Sequence, residues 1–101
     1  MLSHPGEMLL TRTQTWAEEH GRLRREKTAA LAEALAAYQA TGQIPEEIDA
    51  RLSQLGLAML RCQLDCYGIQ QEAFHLPYED RVKVGTVLRE ALACLPAAEG
   101  R

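Results

Sequence analysis

The chain has 101 residues, of which 47% are hydrophobic and 25% are charged, and its formal net charge is −3. These values exclude an intrinsically disordered chain, and the length allows a single domain over residues 1–101. The negative charge excludes a molecule that attracts nucleic acid over its whole surface. Ala and Leu predominate, and Val occurs only at Val82, Val84 and Val87. This composition predicts an almost entirely helical protein.

The N-terminal part carries a long helical pattern. After a lead-in at residues 1–6, a helix is predicted over residues 7–41, in which apolar side chains recur every seventh residue: Leu9, Trp16, Leu23 and Ala30. Gly21 disfavours a helix by about 1 kcal/mol relative to Ala. The sequence therefore allows one continuous helix or two that meet near Gly21. A continuous helix would protrude beyond the core of so small a domain.

The second predicted helix, residues 44–67, has the clearest pattern. Its apolar side chains alternate at spacings of four and three: Ile48, Leu52, Leu55, Met59, Cys62, Cys66 and Ile69. A second apolar line, formed by Leu57, Leu60 and Leu64, lies on another face. A helix that is apolar on two sides lies either at the centre of a bundle or against another chain. Gly68 is expected to end this helix.

The last predicted helix covers residues 77–95, beginning at Pro77 and stopping before Pro96. Residues 96–101 are expected to form a frayed tail. The predicted fold class is therefore all-α: a small, irregular three- or four-helix bundle in one domain.

Catalytic patterns are absent from the sequence. The three His residues are scattered, the paired carboxylates are adjacent and diverge on a helix, and no Gly-rich phosphate loop occurs. We therefore expect no enzymatic activity and no cofactor. No segment reaches the roughly 18–20 apolar residues of a membrane span, and the N-terminus lacks the basic region of a secretory signal. A cytoplasmic protein without a membrane partner is expected.

Two cysteines invite a metal or thiol-sensor hypothesis. Cys62 and Cys66 share a helix face, and with His75 and Cys94 they could supply up to four nitrogen and sulfur ligands. Both also occupy the apolar stripe, where Cys behaves as a small hydrophobic residue. The core interpretation is therefore favoured, and no metal is predicted.

A basic cluster offers an alternative function. Arg22, Arg24, Arg25 and Lys27 could neutralise two or three phosphates in an accessory subunit of a nucleoprotein complex. Glu26 lies four residues after Arg22, so ordinary intrahelical ion pairing is the more common interpretation. Nucleic-acid binding within a larger complex stays an alternative.

The favoured hypothesis is a non-enzymatic helical interaction protein. It would self-associate or serve as a small accessory or adaptor subunit of a larger protein assembly. Apolar surface in excess of one small core supports this hypothesis, as does the uneven charge, since residues 28–50 hold four acids and no Lys or Arg. The predicted contact residues are Leu9, Trp16, Leu23, Leu57, Leu60 and Leu64. Each could instead face the core, because exposed and buried faces look alike in a sequence.

Overall fold

The computed structural model describes residues 3–93, which form three helices: α1 (His4–Thr41), α2 (Glu46–Ala73) and α3 (Tyr78–Ala93). The predicted all-α fold is confirmed, since 90% of this part of the chain is helical and it contains no strand. Residues 94–101 lie outside the described part of the chain. They include Cys94, which with residue 95 ends the third predicted helix, and the expected tail at residues 96–101.

Helix α1 is capped at both ends. Ser3 is the N-cap, and its Oγ accepts a 3.1 Å hydrogen bond from the backbone N–H of Gly6. At the other end the backbone N–H of Gly42 donates to the carbonyl of Tyr38 over 2.7 Å. Gly42 has a φ of 78°, a left-handed conformation that glycine adopts without strain. Because the N-cap is Ser3, the helix begins within the predicted lead-in.

Helix α1 is continuous through Gly21, so two helices meeting there do not occur. Its 38 residues give a length of about 57 Å at 1.5 Å per residue. The cost of one glycine is offset because buried side chains continue on both sides of Gly21, with His20 and Leu23 in the core.

Helix α2 extends further than predicted. It runs through Gly68 to Ala73, so its expected end at residue 67 is wrong. The only positive φ within residues 3–93 is that of Gly42, which places Gly68 in ordinary helical backbone. Ile69, with 1% exposure, continues the buried stripe just after Gly68. Burying a side chain of this size contributes about 1.5–3 kcal/mol, which outweighs the cost of a helical glycine.

The first two helices form an antiparallel hairpin. The Trp16 indole N–H donates to the carbonyl of Cys62 over 2.7 Å, and exposed ion pairs join Arg12 to Glu72 and Glu33 to Arg51. Helix α3 lies beside α1 and runs parallel to it from the Ser3 end, where Ser3 contacts Asp80. The buried core therefore lies along one side of each helix.

Three predicted contact residues belong to that core, and their assignment to an external interface is corrected here. Leu9, Trp16 and Leu23 are each at most 6% exposed. Their seven-residue spacing places them on one side of α1, and in the structure that side packs against the other helices. The whole buried apolar cluster consists of Leu9, Trp16, Leu23, Ala30, Leu55, Cys62, Ile69, Val84 and Leu88.

The described part of the molecule is elongated. Its radius of gyration is 17.1 Å and its extents are 57 × 28 × 15 Å, whereas a compact chain of 100 residues has a radius of about 13 Å. The cause is the difference in helix length, since α3 has 16 residues against 38 in α1. The α1–α2 hairpin therefore extends beyond the end of α3.

Candidate protein-interaction surface

Helix α2 carries a second apolar stripe on the side opposite its buried one. Leu57, Leu60, Leu64 and Tyr67 are 60%, 52%, 63% and 62% exposed. They are spaced by three, four and three residues, which places them in one line along the helix. Phe74, at the C-terminal end of α2, continues the line and is 70% exposed. We call these five residues the outer face of α2.

The outer face includes three of the residues predicted from the sequence and two that were not. Leu57, Leu60 and Leu64 all lie on the surface, as an interaction site requires. Tyr67 follows Leu64 by three residues, so the spacing alone could have identified it. Phe74 could not be assigned, because the helix was expected to end before Gly68.

The outer face is free of charge. Between Leu52 and Phe74, α2 has only three charged residues, Arg61, Asp65 and Glu72. Arg61 and Asp65 line an open groove of about 500 Å³ between α1 and α2, and Glu72 pairs with Arg12 of α1. All three are therefore directed towards α1. Depletion of charge is a property of the central part of protein interfaces.

The exposed apolar area of the outer face is large for this protein. Two aromatic and three leucine side chains, each more than half exposed, present on the order of 500 Å². The largest apolar patch on a typical monomer is about 300–600 Å² and is often functional. The outer face therefore has the size of the largest apolar patch on a typical monomer, a patch that is often functional.

The basic cluster does not form one continuous positive surface. The Arg22 guanidinium donates to Glu19 at 2.7 and 2.8 Å and also pairs with Glu26. Hydrogen bonding to Arg22 lowers the pKa of the Glu19 carboxyl, and these carboxylates raise the pKa of Arg22. Arg24 is half-buried. Among residues 3–93, Arg25 and Lys27 are the members that remain exposed without an ion pair.

The two thiols of α2 are protected. Cys62 is buried and Cys66 is half-buried, and burial raises the pKa of both. Negative charge on Asp65 and Glu19 raises the pKa of Cys62 further. Because the thiolate is the form that reacts and binds metals, this environment disfavours a sensor. His75 is exposed, and within residues 3–93 no three His, Cys, Asp or Glu side chains are grouped so as to hold a metal ion.

His20 is a buried polar residue of the core. It is 5% exposed and stacks on Trp16, with ring centroids 4.9 Å apart. Its Nδ1 atom has no hydrogen-bond partner in the described part of the chain. Burial, together with the nearby positive charge of Arg24, lowers the pKa of His20 below its ordinary value. The neutral imidazole is therefore the form that the fold accommodates.

No helix within residues 3–93 combines the length and the apolar character that crossing a membrane requires. Comparison of the chain with protein-family models, with curated proteins and with solved structures finds no match in any of the three.

Proposed function

We propose that this chain is a non-enzymatic interaction protein that self-associates through the outer face of α2. The observation that carries the proposal is the uncharged, exposed line of Leu57, Leu60, Leu64 and Tyr67 behind a core that is complete without it. These side chains belong neither to the buried cluster nor to the partly buried residues packed against it. Their burial against a partner would remove apolar surface from water, which is the main driving force of association.

A second copy of the chain suits this face. A two-fold dimer requires the same self-complementary patch on both partners. Alternation of apolar residues at spacings of three and four lets two helices interlock along such a line. Two copies would bury on the order of 1,000 Å² of apolar side-chain surface, which reaches the area needed for a specific interface. The absence of charge on the face means that the copies do not repel each other there.

Measurement of the molar mass of the full chain in solution tests the proposal. Sedimentation equilibrium at micromolar concentrations should give a mass twice the 11.2 kDa of one chain. The variant Leu60→Asp should sediment as a monomer with an unchanged helical circular dichroism spectrum, because a charge would be buried without a partner in the dimer alone. The matched control is Leu35→Asp, which changes an exposed leucine of α1 and should remain dimeric.

Two results would overturn the proposal. One is a wild-type chain that sediments as a monomer at concentrations up to about 100 μM, which corresponds to an association weaker than roughly −5.5 kcal/mol. The other is a folded Leu60→Asp variant that still dimerises. Leu64→Lys provides a second change on the same face with the opposite charge, and it should give the same monomer.

A further inference from the structure

From the charges at the two ends of the outer face, we infer that the two copies pack with their α2 helices antiparallel, Leu60 of one copy opposite Leu64 of the other. This inference rests on the proposed self-association and adds its orientation and register. The apolar residues alone do not decide the orientation, because the line can match itself in either direction.

The N-terminal end of the line is acidic. Glu46 and Asp49 are exposed, and they lie about three helical turns before Leu57 and Leu60, so they are on the same side of α2. In a parallel dimer the two acids of each copy would meet the same two acids of the other at the same level. Like charges placed together at an interface oppose association.

At the C-terminal end no acid lies on the line itself, since the exposed Glu72 is on the side of α2 that faces α1. Phe74 and His75 are exposed there, and Glu72 is turned away towards Arg12. In an antiparallel dimer the acidic end of each copy therefore lies against an apolar and imidazole-bearing end of the other. This arrangement also sets the partial positive end of one helix dipole beside the partial negative end of the other.

The spacing then fixes the register. When Leu60 is opposite Leu64 of the second copy, Leu57 is opposite Tyr67, and every apolar residue of the central line has an apolar partner. The same register places Ser53 opposite Gln71, and it brings Ala50 and Asp49 to the level of Phe74 and His75, which follow directly after the end of α2.

Other antiparallel registers match less well. A shift of seven residues in one direction places Leu60 opposite Gln71, and a shift in the other direction places Leu64 opposite Ser53. Each shift buries a polar side chain against a leucine, which is unfavourable without a hydrogen-bond partner. The central register is therefore the one that the sequence of this face supports.

Cross-linking of mixed variants tests the orientation. A tagged Leu60→Cys chain is mixed with an untagged Leu64→Cys chain, allowed to exchange, and treated with a short bismaleimide. The antiparallel register predicts a tagged–untagged product at a yield at least several-fold above the dimer formed by either variant alone. The wild-type chain, treated in the same way, measures the background from Cys62 and Cys66 and from the cysteine at position 94.

Each outcome has a distinct meaning. Self-linking of Leu60→Cys at a yield equal to that of the mixture would establish a parallel dimer and overturn the inference. Dimeric variants that fail to link in the mixture would overturn the register. A wild-type chain that sediments as a monomer under the same conditions would instead overturn the proposed self-association.

A charge change gives a second test that needs no added cysteine. Asp49→Asn should weaken dimerisation by about two- to five-fold, because the exposed contact with His75 is lost. A parallel dimer would respond in the opposite direction, since the variant would relieve repulsion between the two acids. Glu47→Gln is the matched control: it removes an acid from the same first turn but on another side of α2, and it should leave the dissociation constant unchanged. Tighter dimerisation of Asp49→Asn would overturn the inference.

Discussion

The Ser3 hydroxyl donates a 2.5 Å hydrogen bond to Oδ2 of Asp80, a residue that lies 77 positions later in the chain and is 2% exposed. Ser3 also caps α1 by accepting from Gly6, and Asp80 belongs to the first turn of α3. One carboxyl group therefore meets the N-terminal ends of two helices, where negative charge is stabilised by both helix dipoles. This contact ties the N-terminal end of α1 to the N-terminal end of α3.

Replacement of Asp80 should destabilise the fold. Asp80→Ala is expected to lower the free energy of unfolding by about 2 kcal/mol, because a hydrogen bond to a buried charged group is lost. Urea denaturation followed by circular dichroism measures the change. The neighbouring Glu79→Ala, which removes an exposed carboxyl from the same turn, should cost less than about 1 kcal/mol. Equal effects of the two changes would show that the contact with Ser3 contributes nothing.

Gly6 should tolerate no side chain. A Cβ atom at this position would approach Oδ2 of Asp80 more closely than van der Waals contact allows. Gly6→Ala is therefore expected to lower the melting temperature, with a loss of about 1–3 kcal/mol, although Ala is the better helix former. Gly85→Ala is the control, since nothing lies within 4 Å of the added atom, and it should be neutral or stabilising. A Gly6→Ala variant as stable as Gly85→Ala would contradict the expected clash.

The stability of the protein should fall in mild acid because of His20. Its pKa is lowered from an ordinary value of 6.5 in the folded chain. The unfolded chain therefore binds the proton more readily than the folded chain does. Neutral His20 contributes in full to the free energy of unfolding above pH 6.5, and this contribution is lost as the pH decreases below 6.5.

Urea midpoints at pH 7.5 and at about pH 5.5 measure this effect, in a range above the titration of ordinary carboxyl groups. His20→Phe keeps an aromatic ring against Trp16 and should show a clearly smaller decrease between the two pH values. His75→Gln removes an exposed imidazole and should retain the decrease seen in the wild type. A decrease that persists in His20→Phe would assign the effect to another group.

Cys62 should react slowly while the protein is folded. Its burial and raised pKa keep the thiolate scarce and inaccessible. At pH 7.5, alkylation of Cys62 by iodoacetamide is expected to be roughly ten-fold or more slower than in urea, and slower than that of half-buried Cys66. Peptide mass spectrometry resolves the two sites. Equal rates for Cys62 in the folded and unfolded chain would support the thiol-sensor hypothesis instead.

Much of the fold follows from spacing. The alternation of four and three along α2 predicts its buried side, and Leu55, Cys62 and Ile69 are all in the core. The seven-residue recurrence of Leu9, Trp16 and Leu23 likewise describes one side of α1. Periodicity shows which residues share a face, but it does not show what covers that face. The sequence therefore predicts an interface at Leu9, Trp16 and Leu23, on a side of α1 that is buried within the bundle.

Contacts between distant residues could not be predicted. Two hydrogen bonds depend on how the helices are arranged: that from Trp16 to the Cys62 carbonyl and that from Ser3 to Asp80. No pattern in the neighbouring sequence predicts either of them. The predicted end of α2 at residue 67 is wrong for a related reason. Gly68 has a weak helical propensity, but the burial of Ile69 beyond it is a tertiary effect that local preference does not include.

The shortness of α3 has a consequence for the motions of the molecule. Among residues 3–93, only α1 and α2 themselves pack against each other past the level of Ala93, with the exposed Glu33–Arg51 ion pair and with Leu31, Leu35 and Tyr38 half or more exposed. We expect backbone amides in this hairpin to exchange with deuterium through local opening, at a lower free energy than those near Trp16 and Ile69. The hairpin can then separate and close again while the end tied by Ser3 and Asp80 stays intact. The protein would thus lose its structure in sequence from one end rather than in a single step.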